Sequence, residues 1–182
     1  MIDTKDKILV QKCLDGNTES FGVLVEKYQE TVFNVAYRIC GEYDDAADIT
    51  QSAFVKAYEN LIKYNPKYKF FSWIYRIVLN ESINFINQTK KLDELNENIV
   101  SQEKTPEQVY QQVEIEKKIQ DALMMLEPDF RILIVLRHFQ NCSYNEIAYI
   151  LDISEKKVKS RMYTARQILG QKLIKMGLEK NG

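Results

Sequence analysis

The chain has 182 residues, 45% hydrophobic and 28% charged, with a net charge of −1, enough for one large domain or two small ones with a buried core. Six Gly and three Pro are too few for the many tight turns of a sandwich or barrel, so helices are favoured. Cys13, Cys40 and Cys142 form no CxxC pair, and the longest apolar runs span five residues, where a bilayer needs roughly 20.

A short helix can start at Asp3 and stop at Asp15-Gly16. From a cap at Asn17-Thr18, apolar residues fall at Phe21, Leu24, Val25, Tyr28, Val32, Val35, Ala36 and Ile39, one stripe on a long helix. Gly41 breaks the pattern and Asp44-Asp45 can cap the next helix, with Ala46, Ile49, Ala53, Ala57 and Leu61 on one side. Asn65-Pro66 ends it, and a further helix is expected from about Phe71 to Asn87. From Gln88 to Lys104 the chain is polar and reads as a linker. Thr105-Pro106 with Gln108 then opens a helix. Glu127-Pro128 separates it from another reaching about Phe139. Ser143 to Glu146 is a capping box, Asp152-Ile153 is a tight turn, and Ser154 caps a last long helix.

No GxGxxG, GxxxxGK[ST], GxSxG or HExxH occurs, so no catalytic residue, cofactor or metal is expected. The single His138 follows an apolar run and reads as structural. The start lacks the basic and apolar blocks of a signal peptide, and sparse cysteine fits a reducing compartment, so a cytoplasmic location is expected. Charge is uneven: residues 154–175 hold seven bases and one acid, which suits a phosphate-bearing partner or, more blandly, a solvated face.

Three constellations stand out. In residues 143–166, two capped helices around a short turn make a helix-turn-helix, whose second helix would lay Lys159, Ser160, Tyr163 and Thr164 towards a major groove. In residues 64–85, Tyr64, Tyr68, Phe70, Phe71, Trp73, Tyr75 and Phe85 interleave with Lys67, Lys69 and Arg76. Rings that stack on bases beside cations that hold the backbone suit single-stranded nucleic acid; the alternative is that the rings are core. Phe71 and Trp73 are expected to anchor the loop from below. The third constellation is Asp45, Asp48, Gln51 and Ser52, opposite the apolar stripe of their helix, which a solvated face explains equally well.

Their order adds a resemblance. Asp45-Ala46-x-Asp48-Ile49-x-Gln51-x-x-Phe54 is followed by Phe71-x-Trp73-Ile74-x-Arg76-Ile77-x-x-Asn80. Leu126-x-Pro128, Arg131, Ser143-Tyr144-x-Glu146-Ile147-Ala148, Leu151-x-Ile153-Ser154 and Val158-Lys159-Ser160-Arg161 come after. Over about residues 5–176 the chain resembles a bacterial sigma factor of the sigma-70 family, in the compact extracytoplasmic-function group.

The resemblance implies an all-α fold of two small domains: a region 2 bundle over 1–91, a flexible linker over 92–105, and a region 4 helix-turn-helix over 106–182. It implies a non-enzymatic factor that binds the RNA polymerase core and directs promoter-specific initiation. Asp45, Asp48, Gln51 and Phe54 would meet the clamp helices of the large subunit. Tyr64, Lys67, Lys69, Phe70, Phe71, Trp73, Arg76, Asn80 and Asn84 would read and melt the −10 element of promoter DNA. Arg137, Ser143, Tyr144, Lys159, Ser160, Arg161, Tyr163 and Thr164 would serve the −35 element. The family's usual regulation implies an anti-sigma partner, with no direct membrane insertion. The rival reading is a stand-alone helix-turn-helix regulator that binds operators without the polymerase. Asn84, Asn87 and Thr164 depart from the family's usual residues and bear on which promoter is read.

Overall fold

A computed structural model describes residues 4–95 and 110–178, and among these the only regular structure is helical. The helices are α1 (Thr4–Leu14), α2 (Glu19–Cys40), α3 (Tyr43–Glu59), α4 (Phe70–Leu95), α5 (Tyr110–Met124), α6 (Pro128–Ile134), α7 (Tyr144–Leu151) and α8 (Glu155–Lys175). A 3-10 turn, Leu61–Lys63, precedes the loop before α4, and a π-helical turn, Val135–Phe139, prolongs α6.

The first four helices form one unit. The α2 stripe of Leu24, Tyr28, Val32, Val35, Ala36 and Ile39 is buried, as periodicity predicts, against α3 and α4. Asp6 of α1 is buried too, where Lys27 and the Tyr28 hydroxyl donate to its carboxylate at 2.6 and 2.5 Å. A buried carboxylate is tolerated when it is so paired.

The cap of α2 falls at the expected Asn17-Thr18, where the Asn17 side chain receives the Ser20 N–H at 3.1 Å. Two boundaries differ from expectation. Helix α3 starts at Tyr43, so Asp44 and Asp45 lie inside its first turn, favourable to the helix dipole without capping it. Helix α4 runs on to Leu95 where a linker was expected from Gln88, because Gln, Lys, Leu and Glu all have good helix propensity. The expected helix start at Thr105-Pro106 lies outside the described residues.

The second unit, α5 to α8, packs on the first. Its joint is Arg131, 5% exposed, whose guanidinium donates to the carbonyls of Leu123, Met124 and Leu126 and, across the joint, of Ile39. Gly41 ends α2 in the left-handed conformation (φ +93°), with its N–H donating to the Tyr37 carbonyl. A side chain there would be strained and would press on Met124 of α5. Arg38 and the Tyr37 carbonyl also bond Gln120, both at 3.2 Å.

Candidate nucleic-acid interface

Helix α3 presents Asp48 and Gln51 to solvent. Phe54 is buried and forms part of the wall of an open groove of about 580 Å³ between α2 and α3, with Phe33, Tyr43, Ala47, Gln51 and Val55. Tyr43 and Val55 are 67% and 52% exposed, and Tyr43 packs its ring on Phe33 at 4.9 Å. The sequence reading missed these two; the signal was a second stripe, Tyr43, Ala47, Gln51 and Val55, at steps of four. Asp45 faces elsewhere, into a depression with Cys40, Phe85 and Met124. Burial, then Asp48 and Asp44, raises its carboxyl above the usual range.

The aromatics of residues 64–75 divide. Tyr64, Phe70 and Trp73 are buried and meet edge-on or tilted, with centroids 5.6 to 5.7 Å apart. The Tyr64 hydroxyl donates to the Tyr68 carbonyl at 2.7 Å, and burial, with Asp6 and Tyr149, pushes its pKa up to about 12. Trp73 therefore anchors the loop as expected, but Tyr64 and Phe70 do so in place of Phe71. Phe71 is half-buried beside Tyr75, with the Lys69 ammonium 5.1 Å from its ring.

Asn65 shapes the loop. Its side chain accepts the Lys67 N–H at 3.0 Å and its carbonyl the Tyr68 N–H at 3.1 Å. The tip, Asn65 to Tyr68, is exposed. Asn80 and Asn84 are exposed one turn apart on α4. Beside Asn80 lies a depression of about 290 Å³ that Lys63, Trp73, Arg76 and Glu81 help to line. It sits between the 3-10 turn and α4 rather than within the loop. Glu81 accepts from Lys56 at 2.6 Å and Ser52 at 2.9 Å, tying α4 to α3.

The helix-turn-helix forms as its caps predict. Ser143 Oγ accepts the Glu146 N–H at 3.2 Å, and the Glu146 carboxylate accepts the Ser143 N–H at 2.8 Å. Asp152 takes the left-handed conformation (φ +55°), and Ser154 caps α8 by accepting the Lys157 N–H. Ile147, Val158 and Met162 fill the angle between the helices. Lys159, Ser160, Tyr163 and Thr164 are exposed on one side of α8, Tyr163 at 69%. The Lys159 ammonium lies 2.7 Å from Glu155.

The other −35 candidates serve local structure. Arg137 donates to the Cys142 carbonyl at 2.9 Å and lies over the half-buried Tyr144 ring. Arg161 pairs with Asp129 at 3.2 Å, and Ser143 is the cap itself.

The structure also brings the 64–69 loop and α4 against α7. The rings of Tyr68 and Tyr149 stack at 3.7 Å and 15°. Lys69 meets Glu146 at 2.6 Å, Arg76 meets Asp152 at 3.3 Å, and the Tyr75 hydroxyl donates to Gln140 at 2.8 Å. No spacing in the sequence signals these pairs, which lie 65 or more residues apart. Among the described residues, no group of His, Cys, Asp and Glu is placed to hold a metal ion, and no helix is long and apolar enough to cross a membrane.

Comparison with known proteins adds to this geometry. Residues 24–92 match the family described as Sigma-70 region 2, and residues 116–169 that described as Sigma-70, region 4. The ECF RNA polymerase sigma factor SigW of Bacillus subtilis is 30% identical over 176 residues, covering 90% of this chain and 94% of SigW. The ECF RNA polymerase sigma-E factor of Haemophilus influenzae is 28% identical over 181 residues, covering 92% and 95%. Among solved structures, CnrH in complex with the cytosolic domain of CnrY is 26% identical with a TM-score of 0.72, over 94% of this chain and 98% of that one. RpoE of Bartonella quintana, in complex with the anti-sigma factor NepR, has a TM-score of 0.73 at 20% identity, over 86% and 98%, a likeness of fold.

Proposed function

The chain belongs to the extracytoplasmic-function group of the sigma-70 family, and from that premise we propose how its residues divide the work of promoter-specific initiation. It is a sigma factor of the RNA polymerase core. It makes and breaks no covalent bond and works in the cytoplasm. Residues 1–91 form the unit that meets the core and the −10 element, 92–105 connect, and 106–182 read the −35 element.

On α3, exposed Gln51 lines the apolar groove walled by Phe33, Tyr43 and Phe54, and exposed Asp48 follows the groove's Ala47. An apolar groove rimmed by polar groups suits a helical partner, here the clamp helices of the large subunit. Asp45 stands off this face and contributes less. On α8, Lys159, Ser160, Tyr163 and Thr164 project together as base-reading side chains do.

At the −10 element, Tyr68, Lys67 and Lys69 receive the melted strand while Tyr64, Phe70 and Trp73 hold the loop's shape. Arg76, Asn80 and Asn84 continue the surface along α4. Capturing an extruded base offsets an unstacking cost of a few kcal/mol. A net charge of −1 leaves little sequence-independent attraction to phosphates, so the polymerase core must supply the rest. CnrH is bound by the cytosolic domain of CnrY, and a protein partner held in a like manner, an anti-sigma factor, is the expected regulator of this chain.

The observation that carries this reading is the pairing of the two family regions in one chain with an open reading face on α8. The test is transcription in vitro by core polymerase with and without the chain, on a library of duplex promoters. Core with the chain should start at defined sites that core alone ignores. Tight sequence-specific binding of duplex by the free chain, without any effect on initiation, would indicate the operator-binding rival instead.

A further inference from the structure

We propose that α7 holds the 64–69 loop by imitating a melted strand: the Tyr149 ring takes the place of an unstacked base on Tyr68, and the Glu146 and Asp152 carboxylates take the place of phosphates on Lys69 and Arg76. The proposal rests on the reading of that loop as the single-strand site.

The geometry supports a mimic rather than general packing. The two tyrosine rings are almost parallel at 3.7 Å, the face-to-face arrangement by which aromatic side chains hold bases. Two carboxylates meet two cations of the same surface, at 2.6 and 3.3 Å. Glu146, Tyr149 and Asp152 are spaced by three, so they share one side of α7 and its turn, while Ile147 and Ile150 are buried in the core. The mimic is fixed in place. Ser143 bonds the Glu146 carboxylate twice, and the left-handed turn sets Asp152. Burial alone would raise the Glu146 carboxyl, but Lys69 and Ser143 outweigh it and keep the group below its ordinary value, so it is anionic at neutral pH.

The contact makes strand entry and helix-turn-helix docking mutually exclusive at this loop. Single-stranded DNA must wait until the two units part, whereas the reading face of α8 stays open throughout. A site available in only a fraction of molecules binds more weakly by that fraction. Binding of the polymerase core, which the proposed function requires, would part the units and expose the loop.

The test uses the full chain and a fluorescein-labelled oligothymidylate, read by anisotropy at fixed salt, with hydrogen exchange of residues 65–69 in parallel. The variant Glu146→Gln, Tyr149→Ala, Asp152→Asn removes the mimic but leaves every −10 residue in place. Gln retains a capping acceptor, and Asn tolerates the left-handed turn. It should bind about tenfold more tightly than the wild type, with faster exchange in the loop. Tyr149→Phe, which keeps the stack, should behave as wild type. If the triple variant does not fold, Tyr149→Ala and Asp152→Asn alone carry the same test with smaller gains.

Unchanged affinity with faster exchange would mean that α7 covers the loop without occupying the strand's place, and overturns the mimic. Unchanged affinity and exchange would mean that the contact holds nothing. Adding Tyr68→Ala to the triple variant should abolish the gain. If the gain persists, the strand binds elsewhere, and the reading of the loop fails together with the mimic.

Discussion

The two surfaces proposed to meet DNA are built in different ways. The reading face of α8 belongs to one regular helix with its own cap, and its side chains reach solvent whatever the rest of the chain does. The 64–69 loop owes its shape to three buried rings beneath it and meets α7 through Tyr68 and Lys69 across the joint between the units. A helix presents side chains by spacing alone, while a loop presents them only through tertiary contacts, and those contacts can be shared with another part of the chain.

The largest effect is expected at the joint between the units. Arg131→Met leaves the carbonyls of Ile39, Met124 and Leu126 without this donor, while that of Leu123 still accepts the Leu126 N–H at 3.0 Å. Each buried unsatisfied group costs about 1–3 kcal/mol, so a loss of about 3 kcal/mol or more is expected in urea unfolding. A change within about 0.5 kcal/mol, the range of an ordinary surface substitution, would show that the joint carries no stability.

Next in size are the reading contacts. Lys159→Ala and Tyr163→Ala should each cost about 1–3 kcal/mol of −35 discrimination, roughly tenfold in promoter preference, with stability untouched. Transcription from unaltered promoters with wild-type preference would remove α8 from the role. On α3, Asp48→Ala with Gln51→Ala should weaken co-purification with polymerase while unfolding shifts by no more than about 0.5 kcal/mol per residue. Tyr43→Ala should act in the same direction, through the groove rather than its rim. If only the Tyr43 variant loses the polymerase, the apolar stripe and not the polar one is the contact.

What could be read from the sequence follows the same division. Caps, turns and core stripes depend on neighbours three or four residues away, so Ser143, Asp152, Ser154 and the α2 stripe fell where spacing put them. The splitting of the aromatics was not legible, because Phe70 and Phe71 are adjacent and only the packing of α4 against α2 decides which turns inward. The resemblance puts Arg137 and Arg161 at the −35 element, and no spacing signals the partners they have within the chain, a loop carbonyl and Asp129, the latter 32 residues away. Glu146, Tyr149 and Asp152 gave no hint of facing residues 68–76, since nothing local requires it.

The smallest effect tests how firmly α8 is seated. His138, in the π-helical turn behind it, accepts from Arg166 Nε at 3.2 Å. Burial, then the charges of Arg166 and Arg137, holds its pKa below the ordinary imidazole value. The unfolded chain therefore takes up a proton at a higher pH than the folded one, so stability is lost as pH falls through about 6.5 and levels off below the folded value. His138 is the only histidine in the chain, so no other imidazole contributes to that window. Thermal midpoints of the wild type should fall slightly from about pH 7.5 to 5.5, and those of His138→Gln should fall less. Equal slopes would mean that the ring titrates as freely as in the unfolded chain, and that the contact with Arg166 does not fasten α8 to the turn behind it.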